Sequence, residues 1–283
     1  MGFRILLQTC KRIVLHPARE YRRLRFRVLH ANRGPHDIVC RVKDFSLKLC
    51  SDSVLAKPLF VGSGFEEAET KLLRRLAKPG MQVIDVGANI GFYTVLLGKL
   101  VGKTGHVWSF EPFPPAVNYL KQNIELNKLN NITVIEKAVA EKEDALDFHV
   151  FAEGCDVYNS LGASYRPVEQ LRSVGRIVVP VISLDGLFNK GELLKADILK
   201  VDVEGAEERV LVGARDLIKN SPNLVVVAEM GNDSARQCGC SIHRAIEYMR
   251  DMGFVMHRIG PRGTISPVEA LPPEGGYVCF LRI

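Results

Sequence analysis

Residues 83–94 read VIDVGANIGFYT. An aliphatic run carries one aspartate, Asp85, and then breaks on two glycines, Gly87 and Gly91, that bracket Asn89. A packed helix has no use for two glycines so close together. A strand turning sharply into a helix does. Gly87 lets the backbone turn, Gly91 lets the helix approach, and the start of the helix offers N–H groups without intrahelical partners. In an open parallel sheet, ligands bind outside the carboxyl ends of such strands.

The flanking sequence repeats the alternation. Strands are predicted at 82–86, 106–110, 132–140, 198–203, 223–229, 254–259 and 276–283. Helices are predicted from about 91 to 100, then at 116–126, 206–218 and 242–252. Strands alternating with helices give an α/β fold with a doubly wound, mostly parallel sheet. No helix separates the last two strands, so the final one is expected to run antiparallel. Residues 141–196 interrupt the rhythm. There, 145–151 and 176–183 are expected to pair as an inserted β-hairpin, joined by a polar loop at 155–167. Upstream, 38–50 alternates like a hairpin. Residues 63–77 form a helical pattern with Ser63 as its cap and acids preceding bases. The expected organisation is a helical arm with short strands at 1–60 and one larger domain at 61–283.

The 283 residues are enough to bury a substantial core. The hydrophobic share of 47% and charged share of 25% are ordinary for a globular chain. No apolar run reaches the ~20 residues that span a bilayer. The start is too short in apolar residues for a secretory signal, and Leu6 stands where myristoylation wants Ser or Thr. These features lead to the expectation of a cytoplasmic protein. Seven scattered cysteines, with no CxxC pair, suggest neither a disulfide framework nor a zinc site. The nearest pair, Cys238 and Cys240, reads as reduced thiols. The sequon Asn131–Ile132–Thr133 is then a chance match.

The glycine spacing narrows the ligand. A dinucleotide loop reads GxGxxG, its middle glycine admitting a pyrophosphate. Here Asn89 holds that place, and the pattern is D-x-G-x-N-x-G. An acid beside the turn repels pyrophosphate and suits a positively charged ligand. Glu111 ends the second strand, where a ribose diol expects an acid. An acid near the first turn, no pyrophosphate loop and an acid for a ribose together point to S-adenosylmethionine, which is cationic and carries one ribose and no phosphate.

With VIDVGANIGFYT, two further stretches, FEPFPPAVNYLKQNIELN (110–127) and ILKVDVEGAEERVLVGA (198–214), resemble the FkbM family of S-adenosylmethionine-dependent methyltransferases. The resemblance covers about 60–260. It implies the class I methyltransferase fold, with a seven-stranded sheet whose last strand is antiparallel. It also implies that Asp85, Gly87, Ala88, Asn89 and Gly91 surround the methionine part, that Glu111 holds the ribose hydroxyls, and that Ala138 and Val139 lie near adenine. Tyr93 and Thr94, in the first helical turn, are candidate contacts to the cofactor or packing residues. The implied reaction is O-methylation of a saccharide or natural-product hydroxyl.

Three acids at later strand ends are the candidates for catalysis. Asp202 and Glu204 alternate along KVDVEG, and extended geometry would put both on one face. Glu229 ends the next strand. Such a set can take a proton, bind sugar hydroxyls or hold a divalent cation. No histidine lies nearby in sequence to complete a familiar ligand set, so no metal is assigned. Asp202 is also placed among the cofactor contacts. Glu204 could instead favour the dipole of the next helix, and Glu229 could pair with a base. His243 reads as a surface residue, while Tyr158, Asn159 and Ser160 are weak substrate contacts.

The net charge of +6 is unevenly placed. Residues 1–34 hold nine Lys or Arg against one acid, Glu20, so this arm carries +8 and the rest −2. A basic amphipathic arm suits peripheral contact with anionic lipid, or packing on the body or a second subunit. Nucleic acid is not expected, because the body is slightly acidic. An NAD-dependent oxidoreductase and a cofactor-binding adaptor without catalysis are the rival readings. Asn89 speaks against the first, and the intact acids against the second.

Overall fold

A computed structural model describes residues 17–30, 34–62, 64–151, 173–273 and 275–282. The first sixteen residues of the basic arm, and the loop expected at 155–167 with Tyr158, Asn159 and Ser160, lie outside this set. The chain divides into two units, Met1–Phe65 and Glu66–Ile283.

The first unit has a helix α1 (Pro17–His30), a hairpin of β1 (Asp37–Val42) and β2 (Phe45–Cys50), and a short helix α2 (Ala56–Val61). The hairpin is antiparallel, with Val42 opposite Phe45. Lys43 takes the left-handed conformation that a two-residue hairpin turn requires. Along β2, Phe45, Leu47 and Leu49 are buried while their neighbours are half-buried, the period-two signature of a one-sided sheet.

The second unit opens with α3 (Glu67–Leu76), followed by β3 (Gln82–Val86), α4 (Phe92–Val101), β4 (His106–Phe110), α5 (Pro114–Leu126) and β5 (Ile132–Ile135). Then come β6 (Ala138–Val139), β7 (Asp144–Phe151), β8 (Ser173–Ile182) and α6 (Leu184–Asn189). The sequence resumes with β9 (Ile198–Val201), α7 (Glu207–Val212), α8 (Arg215–Lys219), β10 (Val225–Met230), α9 (Asn232–Gln237) and α10 (Ile242–Asp251). It closes with β11 (Phe254–Ile259), β12 (Ile265–Pro267) and β13 (Gly276–Arg282).

The main sheet runs β12-β11-β13-β10-β9-β3-β4-β5. β10, β9, β3, β4 and β5 are mutually parallel, and β13 is antiparallel to both β10 and β11. This is the class I methyltransferase sheet, lengthened by the three-residue edge strand β12 beyond the seven strands expected. All four residues of β9 are buried, as a central parallel strand covered on both faces demands. Ile84, Leu199, Val226 and Phe280 are fully buried in the core around the sheet centre. Each such side chain stabilises the fold by roughly 1.5–3 kcal/mol relative to exposure. From β3 the chain builds outward through β4 and β5. From β9 it builds the other way, so the crevice lies between the ends of β3 and β9.

Several predicted elements are divided. The strand expected at 132–140 becomes β5 in the main sheet and β6 in a second sheet of order β6-β8-β7. In that sheet β7 and β8 form the expected antiparallel pair. The helix expected at 206–218 breaks at Gly213, where a Cβ would lie 2.1 Å from the Ala140 carbonyl oxygen. At the break the Gly213 carbonyl accepts the Asp185 N–H, and Asp185 Oδ1 accepts the N–H groups of Asp216 and Leu217, so the second segment starts on contacts from outside the helix. The helix expected from 63 begins at Glu67 instead, preceded by Glu66 in a left-handed conformation with no capping hydrogen bond from its side chain.

Candidate active site

The turn after β3 is built from three left-handed residues, Gly87 (φ 80°), Asn89 (φ 49°) and Gly91 (φ 92°). A Cβ on Gly87 would sit 1.7 Å from the carbonyl oxygen of Asp202, and one on Gly91 2.6 Å from Leu120 Cδ1. Gly87 therefore lets the turn press on the end of β9, and Gly91 lets it press on α5. The N–H groups of the turn itself are bonded within the protein. Those of Gly87 and Ala88 both donate to Phe110 O, and that of Asn89 to Glu111 Oε2 at 2.8 Å. The Ile90 N–H donates to Asn89 Oδ1, and the Gly91 N–H to Ala88 O. The turn presents no row of free donors to a phosphate.

Asp85 is fully buried. Its Oδ2 accepts from Thr94 Oγ1 at 2.6 Å, and Thr94 Oγ1 lies 2.7 Å from Ser109 Oγ. The hydroxyl of Thr94 thus serves the scaffold. Asp85 Oδ1 lies 3.6 Å from the ammonium of Lys200, itself only 2% exposed. The positive partner expected for Asp85 is met inside the protein. Lys200 also stands 4.7 Å over the ring of Tyr93, whose hydroxyl donates to Glu66 Oε2 at 2.6 Å.

Glu111 follows β4 and accepts one backbone N–H on each oxygen, from Asn89 and from Phe113 at 2.9 Å. Burial pushes its carboxyl up to about 7, against the pull of these two donors. Each oxygen keeps a lone pair for a further donor. Ala138 and Val139, in β6, are buried.

The three candidate acids do come together. One oxygen each of Asp202, Glu204 and Glu229 lies within 4.8 Å of the others, close enough to surround a divalent cation or one substrate hydroxyl. They do not meet by strand alternation. β9 ends at Val201, and Glu204 is left-handed at φ 53°, a conformation that costs a non-glycine residue about 1–2 kcal/mol. The helix after it starts at Glu207, so Glu204 is not its first-turn acid. Glu207 takes the loop-binding role, its Oε1 accepting the Gly205 N–H at 3.0 Å.

Asp202 is held from two sides. Lys200 Nζ is 3.1 Å from its Oδ2, and the hydroxyl of Tyr277, opposite Glu229 on β13, donates to the same oxygen at 3.3 Å. Burial disfavours the Lys200 charge, yet Asp202, Asp85 and Glu66 together hold the ammonium above its ordinary value. Burial, and then the charges of Asp202 and Glu204, push Glu229 well above the carboxylate range. Glu66 is pushed up to about 7 by burial and by Asp202. Lys200, Glu66 and Tyr277 were not among the sequence candidates. The one local signal was a lysine inside the apolar strand ILKV. His243 is exposed on α10. Burial raises the Cys238 and Cys240 thiols to about 12 and 11, which leaves them poor nucleophiles.

The donor set fits S-adenosylmethionine. It offers carboxylates and apolar walls, with the turn's N–H groups used up internally, and that suits a cation without phosphate. The methyltransferase FkbM domain matches residues 85–256, more than half of the chain. The chain belongs to the FkbM methyltransferase family. Members use S-adenosylmethionine as methyl donor. The curated protein named "Probable cobalt-precorrin-6B C(15)-methyltransferase (decarboxylating)" from Sulfurisphaera tokodaii is 37% identical over 44% of this chain and 65% of its own length. The 2-O-methyltransferase NoeI of Sinorhizobium fredii is 26% identical over 52% of this chain and 63% of its own. The chain thus spans slightly less than two thirds of these relatives. Among solved structures, an S-adenosylmethionine-dependent O-methyltransferase from Thermotoga maritima is similar at 12% identity and TM-score 0.43, over 89% of this chain and 79% of that one.

Proposed function

We propose that this FkbM-family protein transfers the methyl group of S-adenosylmethionine to a hydroxyl oxygen of a saccharide or secondary metabolite. The observation that carries this reading is the cluster of Asp202, Glu204 and Glu229, whose oxygens lie within 4.8 Å of one another beside the turn after β3. The donor, when bound, supplies an electrophilic methyl on a sulfonium that is displaced in line. A neutral hydroxyl is a weak nucleophile, and a positioned base speeds its attack by roughly 10²–10⁴-fold.

The acids supply that base as a unit rather than singly. Glu229 holds a proton well above the usual carboxylate range and Asp202 is fixed by Lys200 and Tyr277. The acceptor's proton passes to an oxygen of this set, while the remaining carboxylates bind neighbouring hydroxyls. A carboxylate acceptor, as in protein methyl-ester formation, would be repelled by the same three acids. Similarity to the 2-O-methyltransferase NoeI is in keeping with an alcohol acceptor.

The test is a panel of glycans, natural-product alcohols and an isoaspartyl peptide offered with methyl-labelled donor. Label retained in an alkali-stable ether supports the proposal. Label released by mild alkali, the mark of a methyl ester, or label on carbon, overturns it.

A further inference from the structure

Helix α1 presents its apolar side outward. Its half-buried residues Glu20, Arg23 and Phe26 recur at a spacing of three and mark the side toward α2, where the rings of Phe26 and Phe60 are 5.2 Å apart. Glu20 accepts from Arg23 at 3.1 Å on this side. On the other side Tyr21 is 67% exposed, Leu24 60%, Val28 67% and Leu29 37%. A helix resting on a protein core normally shows the reverse distribution.

The exposed apolar residues are flanked by exposed arginines, Arg25 and Arg22 along one border and Arg27 toward the other, and the helix has no exposed acid. Apolar side chains in a frame of cations describe a helix that lies in the plane of an anionic lipid interface. A second copy fits less well, since an isologous contact would set arginine against arginine. A nucleic acid would engage the arginines and leave the apolar residues wet.

We infer that the outward face of α1, centred on Tyr21, Leu24 and Val28, docks on the headgroup region of a membrane rich in anionic phospholipid. The apolar side chains enter the acyl boundary and the arginines pair with lipid phosphates. This inference stands apart from the proposed reaction.

The test is co-sedimentation of the full chain with vesicles of phosphatidylcholine alone, or of phosphatidylcholine with phosphatidylglycerol. Binding to the mixed vesicles only is expected, weakened in about 1 M salt, where the Debye length falls to about 3 Å. Leu24→Glu with Val28→Glu should lower binding roughly tenfold or more. Arg25→Gln with Arg27→Gln, which spares the apolar face and the α2 contact, should lower it by a similar factor. S-adenosylhomocysteine binding reports that each variant keeps its folded body. Equal binding to neutral vesicles, no binding to either, or unchanged binding by the arginine variant would overturn the inference. So would a dimer in solution that Leu24→Glu with Val28→Glu dissociates, because the face would then belong to a second copy.

Discussion

Glu111 and Glu229 are both acids at the carboxyl ends of parallel strands, and burial raises both, yet they are held in opposite ways. Glu111 accepts a backbone N–H on each oxygen, and these donors limit its rise to about 7. Glu229 faces other acids, Asp202 first among them, which drive it further up. Backbone donors fix a carboxylate in place for recognition. Like-charged neighbours make a carboxyl hold and release protons. Under the proposed function one rim of the crevice binds the donor and the other moves a proton, and the comparison can be tested by disabling each rim in turn.

The largest effect is expected on the proton-moving rim. Asp202→Asn should lower methyl transfer by roughly 10²–10⁴-fold while S-adenosylhomocysteine affinity changes little. Initial rates with an accepted alcohol, set beside calorimetric titration, separate the two. Full turnover by this variant would remove Asp202 from the proton path.

On the binding rim the order reverses. Glu111→Ala should weaken S-adenosylhomocysteine binding about ten- to a hundredfold, in line with about 1.5–3 kcal/mol for hydrogen bonds to a charged group. The same change frees the Asn89 N–H and loosens the turn. Unchanged affinity in the titration would show that Glu111 only braces the turn.

A third acid, Asp85, lies between the rims and sharpens the contrast, because its partners are side chains rather than backbone. Thr94→Val should cost about 2 kcal/mol by leaving Asp85 Oδ2 without its hydroxyl donor in a fully buried place. A thermal melt would record this as a fall of several degrees. An unshifted melt would mean that Lys200 alone satisfies Asp85.

Much of this arrangement was legible in the sequence. Strand, turn and helix alternate with local periodicity, and the turn residues Gly87, Asn89 and Gly91 declare their left-handed backbone by type. The acids Asp202, Glu204 and Glu229 were found because strand ends can be read locally. Their mutual geometry was not, since Glu204 owes its position to a left-handed residue that strand alternation does not foresee. Lys200 escaped because lysine is read as a surface residue, and only its three acid neighbours make burial tolerable. Glu66 and Tyr277 escaped for a different reason. They lie 27 residues from Tyr93 and 75 from Asp202, separations that no local pattern encodes. The split of 132–140 between two sheets and the break at Gly213 likewise arise from tertiary contact.

Glu207 provides the smallest and most specific test of whether burial alone raises these carboxyls. It is 2% exposed, accepts the Gly205 N–H through Oε1, and has no hydrogen-bond partner for Oε2 among the described residues. Burial pushes it from 4.5 to about 7. Between these values the folded chain keeps a proton that the unfolded chain has lost. The sign follows from that difference. Stability from this group is complete below about 4.5 and declines as pH rises through about 7. The full gap corresponds to about 3 kcal/mol, an upper bound because relaxation and water soften a buried charge. Glutamine mimics the protonated acid at every pH. Glu207→Gln should therefore be about 1 kcal/mol more stable than the parent at pH 8 and no more stable at pH 4.5, as read from urea unfolding at both values. A gain of the same size at both pH values would trace the effect to packing, and the rise of Glu111 would then need its own neighbours, rather than burial, as its cause.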